Sequence, residues 1–208
     1  MSEELLPLFP LPVVLFPNSL LPLHIFEERY KQLINECLNE EKEFGINLTQ
    51  EKEVAKVGCT AEVTKLLKRY DDGRMDILVQ GKRRYSLVRF VTSSTLYRVA
   101  HVEFMQLEEE LIDTGLAAET VKLHNQLIEM VYRDKSYGLA YDAGNTMLSF
   151  KVAQKAGMEM AQRQALLELN SENERLRVLH TYFTEVIPKL ERLGEVERVI
   201  KSDGYTVN

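Results

Sequence analysis

Two hydrophobic periods divide this chain. From Val54 to Phe104 apolar side chains recur at every second position. Cys59, Ala61 and Val63 alternate with Thr60, Glu62 and Thr64; Met75, Ile77 and Val79 alternate with Arg74, Asp76 and Gln80; Ala100, Val102 and Phe104 alternate with Val99, His101 and Glu103. Successive strand residues face opposite ways, so this alternation predicts half-buried strands. Asp71-Asp72-Gly73 supplies a hairpin turn, with glycine where a positive φ is needed. Gly81 is expected to break the second run before Tyr85 and Leu87. Short strands at this spacing predict an antiparallel barrel or sandwich, not a βαβ sheet.

Beyond about Ile112 the period becomes helical. Val121, Leu127, Ile128 and Val131 suit one helix face, with Leu123 and Met130 widening it and Ser136-Tyr137-Gly138 ending it. Asn145 or Thr146 is expected to cap a second helix through Phe150 and Val152, and Ala161 to Leu169 a third. Ser171 and Glu174 stand three apart, the spacing of a capping box. Behind them Leu176, Leu179, Phe183, Ile187 and Leu190 form one stripe, with Pro188 expected to kink it. The division is therefore set at 1–110, rich in strands, and 111–208, helical, with the last residues fraying.

The segment LPLFPLPVVLFPNSLLPLHIFEERYKQL is apolar enough to raise the question of a membrane. Pro7, Pro10, Pro12, Pro17 and Pro22 each remove a backbone donor and fix φ, so a spanning helix of about 20 residues does not survive there. The acidic opening Ser2-Glu3-Glu4 is unlike a signal peptide. The segment instead predicts a short strand at Val13-Val14-Leu15, a turn at Pro17-Asn18-Ser19, and then a helix. Phe26, Tyr30, Leu33, Ile34, Cys37 and Leu38 fall on one face of that helix, and Phe44 to Leu48 predicts another strand.

A length of 208 residues needs no disulfide staple to bury a core. Cys37 and Cys59 form no CxxC pattern and are expected to be reduced core thiols in a cytoplasmic protein. The net charge of −6 disfavours bulk binding to nucleic acid or anionic lipid. No GxxxxGK[ST], GxGxxG, HExxH, GxSxG or SxxK is present. His24, His101, His124 and His180 lie far apart in the sequence. No catalytic, cofactor-binding or metal-ligating residue is assigned, and no cofactor is expected.

LPLFPLPVVLFPNSLLPLHIFE, with Arg29-Tyr30 following, resembles the start of the Lon protease N-terminal domain family. The likeness continues through VGCTAEVTKLLKRYDDGRMDILVQGKRRYSLVRF and reaches NSENERLRVLHTYFTEVIPKLERL, similar to the family's last helix. The resemblance implies an α+β fold: an N-terminal PUA-like antiparallel pseudo-barrel with one or two helices, then a C-terminal helical bundle. It also implies a role in recognising polypeptides. Lon's Walker motifs and Ser-Lys dyad do not occur before Asn208, so the expectation is a free-standing, non-catalytic recognition module and not an ATP-dependent protease.

The expected partners are unfolded or extended polypeptide segments, with a separate protease or chaperone as a further partner and no membrane. Phe16 and Leu20 at the first turn, and Leu67, Tyr70 and Met75 near the hairpin, are the candidate peptide contacts. The alternative is an RNA-binding PUA-like protein. Its site would be Lys82, Arg84 and Arg89 on one face, and it is disfavoured because Arg83 alternates away from its neighbours.

Overall fold

The computed structural model describes residues 3–51, 53–133, 136, 138–141 and 147–202, with side chains as far as 193. The chain is α+β and forms two compact units. The first comprises Met1–Glu109 with Gly157–Asn170, the second Glu110–Ala156 with Ser171–Asn208. This departs from the contiguous division expected at 110/111, because residues 157–170 belong to the strand-rich unit.

Among the described residues of that unit six strands form one mixed sheet. They are β1 (Glu4–Leu8), β2 (Leu20–Ile25), β3 (Phe44–Gln50), β4 (Glu53–Arg69), β5 (Met75–Val91) and β6 (Arg98–Phe104). The order is β2-β5-β4-β3-β1-β6, and β5 also pairs with β6. The ladder β5-β4-β3-β1-β6 therefore closes on itself and leaves β2 as an added edge. The expectation of purely antiparallel pairing is corrected: β1 runs parallel to β3, with Leu8 opposite Gly45. A parallel pair needs a long crossover, and β2 with helix α1 (Glu28–Glu40) provides it.

Two details of the opening segment also differ. Val13–Leu15 is not a strand; β1 and β2 flank it. The run through Gly81 is not broken either. Gly81 continues β5 opposite Ala61. Its N–H donates to Ser19 O at 2.9 Å, and its carbonyl accepts from Asn18 N at 2.8 Å. A Cβ there would collide with the Phe16 carbonyl. The glycine is a point of close backbone approach rather than a strand end. It fastens residues 16–19 to the sheet and seats Phe16 in the core.

The core of this unit gathers Tyr30, Leu33, Ile34 and Cys37 of α1 against Phe44, Ile46, Cys59, Ala61, Met75, Ile77 and Val79. Phe9 stacks on Tyr30 with ring centroids 3.8 Å apart. α1 starts at Glu28, so Phe26 lies outside its buried stripe and is exposed. Both cysteines are free and buried, and burial pushes each thiol up to about 12. Tyr85 is fully buried and donates its hydroxyl to Asn47 Oδ1.

Helix α4 (Met160–Glu168) packs on β4. Gln164 Nε2 donates to Val57 O at 3.1 Å. Arg84 of β5 donates to Leu167 O at 2.9 Å, Leu169 O at 2.6 Å and Asn170 Oδ1 at 3.1 Å. These bonds explain why 157–170 leaves the helical unit.

The second unit holds α2 (Thr114–Tyr132), α3 (Leu148–Ala153) and α5 (Glu172–Ser202). Asp113 caps α2 by accepting from Leu116 N at 2.9 Å, and Arg133 ends it in the left-handed region. That end precedes the expected stop at Ser136-Tyr137-Gly138, and Val131 is exposed rather than buried. The expected cap at Asn145 or Thr146 lies outside the described residues, as do the terminal residues 203–208. Ser171 Oγ accepts from Glu174 N at 3.1 Å at the start of α5. Leu176, Leu179, Phe183 and Ile187 are buried along its stripe. Among the described residues no helix is long and apolar enough to cross a membrane.

Candidate functional site

One group of exposed apolar residues in the strand-rich unit follows from the register of β2 and β4 on β5. β2 pairs from Leu20 opposite Gln80 to Ile25 opposite Met75. Ladder partners share a face, so Leu21, Leu23 and Ile25 join Met75, Ile77 and Val79 in the core. Leu20, Pro22 and His24 stand with Gln80, Leu78 and Asp76 on the other side, and all three β2 residues are exposed.

β4 outruns its β3 partner. The β3 ladder ends at Phe44 opposite Ala61, and β4 continues on β5 to Arg69. Register shifts between Val63 and Lys65 and between Leu66 and Lys68 mark bulges. Bulges add twist and re-aim side chains, which brings both Leu66 and Leu67 to the surface. Leu20 is 58% exposed, Leu67 50% and Phe26 60%.

Polar groups surround Tyr70 and reach Phe26 through His24. Asp76 accepts from Tyr70 Oη at 2.8 Å and lies 2.6 Å from His24 Nδ1. These two bonds, the histidine's first, hold the Asp76 carboxyl below the usual carboxylate range. Lys68 Nζ sits 4.3 Å and Arg74 Cζ 5.0 Å from the Tyr70 ring centroid. The His24 ring lies 6.0 Å from Tyr70 and 6.1 Å from Phe26.

The hairpin is braced as well as ordered. Gly73 takes φ +81° in its turn, where its N–H donates to Tyr70 O at 3.0 Å. Helix α1 reaches across through Arg69 Nη1 to Asn35 Oδ1 at 3.0 Å and Lys31 Nζ to Asp72 O at 2.9 Å. Anchors held this way lose little freedom when a partner docks. The arrangement offers apolar contact, aromatic faces and a charged rim, the components of a binding surface.

Of the peptide contacts expected from sequence, Leu20 and Leu67 are exposed and Tyr70 is half-buried. Phe16 and Met75 are both fully buried, Phe16 behind Gly81 and Met75 on the inward face of β5, and they are withdrawn as contacts. The basic residues do not form one patch. Lys82 pairs with Glu62 at 2.7 Å, Arg89 pairs with Glu3 at 2.6 Å, and Arg84 is buried against the end of α4. Sequence reasoning missed His24, Phe26 and Asp76. The outward phase of His24 and Asp76 was readable, but their pairing depends on the β2–β5 register. Among the described residues no cluster of histidine, cysteine, aspartate or glutamate is suited to hold a metal ion.

Residues 5–185 match the family described as the ATP-dependent protease La (LON) substrate-binding domain. The chain is 24% identical to Lon protease of Flavobacterium johnsoniae, over 97% of this chain and 27% of that protein. It is 30% identical to Lon protease of Roseiflexus castenholzii, over 93% of this chain and 25% of that protein. The chain thus spans about a quarter of the length of these curated relatives. Among solved structures it resembles the Lon N-terminal domain protein from Xanthomonas campestris with TM-score 0.67 and 22% identity, covering 85% of this chain and 96% of that one. The N-terminal domain of the Mycobacterium avium complex Lon protease gives TM-score 0.66 and 19% identity, with 87% and 98% covered. The fold is that of Lon N-terminal domains, and the chain belongs to the LON substrate-binding domain family.

Proposed function

We infer that this chain is a non-catalytic polypeptide-recognition module. It binds unfolded or extended segments on the face carrying Leu20, Leu67, Phe26 and Tyr70, and serves a separate protease or chaperone in the cytoplasm. In this reading the closed ladder is a PUA-like pseudo-barrel and the second unit a helical bundle. The observation that carries the reading is a braced surface with exposed leucines and an exposed phenylalanine, in a chain of the substrate-binding family.

Recognition uses the face of the sheet rather than its edge. Pro22 sits in the middle of β2 and removes a donor from the outermost strand, which disfavours strand addition. Apolar side chains of an unfolded partner would cover Leu20, Leu67 and Phe26, while Lys68 and Arg74 define the rim. The test is capture of a chemically unfolded polypeptide against its folded form and against RNA. Selective capture of the unfolded chain is expected; preference for RNA, or no capture of polypeptide, overturns the reading.

A further inference from the structure

A separate cavity of about 270 Å³ opens in the strand-rich unit. It is lined by Leu8, Pro10, Tyr30 and Val54 together with Thr49, Arg29 and Arg98, and the Arg29 Cζ lies 4.5 Å from the Tyr30 ring centroid. The volume lies below the range of drug-sized sites, roughly 300–1,000 Å³, and suits a single small apolar group.

The two cations differ in how far they are already neutralised. Arg29 donates from Nε at 2.9 Å and from Nη2 at 2.6 Å to the same Glu27 oxygen, which leaves other N–H groups to donate. Arg98 is exposed, lies 5.3 Å from the Phe90 ring centroid, and has no carboxylate partner among the described residues. Both lie close enough to Tyr30 to act on its hydroxyl electrostatically. Arg98 is fixed in place by its register opposite Leu8, and Arg29 by the first turn of α1.

An apolar cavity with two arginines among its lining residues calls for a ligand that carries an anion beside an apolar group. An inorganic anion would leave the apolar wall uncovered. The last residue of a polypeptide has both parts, an α-carboxylate and an apolar side chain on the same carbon. Forked guanidinium donors match the geometry of a carboxylate.

A neighbouring cavity of about 340 Å³ shares Val54 with the first. Glu53 and Glu168 line it, so it repels a carboxylate and leaves the first cavity as the better seat for one.

We propose that Arg29 and Arg98 bind the free C-terminal carboxylate of a polypeptide whose last, apolar side chain enters the cavity between Tyr30, Leu8 and Val54. This rests on the polypeptide-binding reading and adds the part of the chain that is read.

The test is fluorescence anisotropy with a short unstructured peptide ending in leucine, as the free acid and as the C-terminal amide. The free acid is expected to bind about tenfold more tightly, the scale of one charge-assisted hydrogen bond. In Arg98→Gln, an exposed position whose fold is checked by circular dichroism, the preference for the acid over the amide should shrink, and an unchanged preference would overturn the inference. N-acetyl-leucine should compete with the acid in the parent protein. Equal binding of acid and amide to the parent overturns this inference while leaving polypeptide recognition standing. If neither peptide binds and the unfolded polypeptide is not captured either, both readings fall.

Discussion

Arg84 in the strand-rich unit and Arg175 in the helical unit are both buried, 3% and 0% exposed, yet they are held differently. Arg175 has a local carboxylate. Its Nη2 donates to Glu172 Oε2 at 2.7 Å, three residues back on α5, and its Nε donates to Ser149 Oγ at 2.8 Å. Glu172 in turn accepts from Ser149 N at 2.7 Å and Ser149 Oγ at 2.6 Å. Arg84 instead donates to the carbonyls of Leu167 and Leu169, far along the chain. One arginine completes a pair within a helix; the other pins a distant main-chain segment to a strand. A side-chain partner can be removed together with its arginine, but a carbonyl partner cannot.

The largest effect is expected from breaking the local pair. Glu172→Gln takes the Glu172 carboxylate away from the buried Arg175 guanidinium, and breaking a buried ion pair by removing one partner typically costs about 3–5 kcal/mol. Urea unfolding should show a lower midpoint at an unchanged slope. Adding Arg175→Met should recover part of the loss, because removing both charges also removes their desolvation cost.

Arg84→Met is expected to cost about 3 kcal/mol, since orphaned buried acceptors cost about 1–3 kcal/mol each. No second side-chain change should rescue it. Hydrogen exchange should quicken in residues 157–170 before the rest of the strand-rich unit. Rescue of Arg84→Met by a neighbouring side-chain substitution would break the comparison.

A smaller effect separates the units by pH. Burial lowers the His124 pKa and the charge of Lys155 adds to the lowering, while the contact of its Nδ1 with Asn125 Oδ1 at 3.3 Å opposes it. The folded helical unit therefore takes up this proton less readily than the unfolded chain. Stability from this group is complete above about pH 6.5 and is lost as the pH falls from there through the lowered folded value. His124→Gln should flatten that part of a stability-against-pH curve followed by helical signal.

The same contrast shows what the sequence made legible. Periodicity located β3 to β6, the Asp-Gly turn and the stripe of α5, because each is set by neighbours in the chain. Ser171 and Glu174 announced the start of α5 for the same reason. Arg84 read as an exposed basic residue because its partners lie more than eighty positions away. Gly81 read as a strand end because the Phe16–Ser19 strap that requires it is equally remote. Of the candidate contacts, Leu20 and Leu67 beside the turn and hairpin are exposed, while Met75 shares the hairpin but has the inward phase. Phe26 looked like core because its spacing continues the α1 stripe, although the helix starts only at Glu28.

The most direct measurement is the binding of a chemically unfolded polypeptide to the parent protein and to Leu20→Glu/Leu67→Glu. Both leucines are exposed, so the double variant should keep its circular dichroism and unfolding midpoint while its affinity drops by about tenfold or more, as expected when apolar anchors at the centre of a contact are charged. Unchanged affinity in a folded double variant would contradict the claim that this face receives the polypeptide.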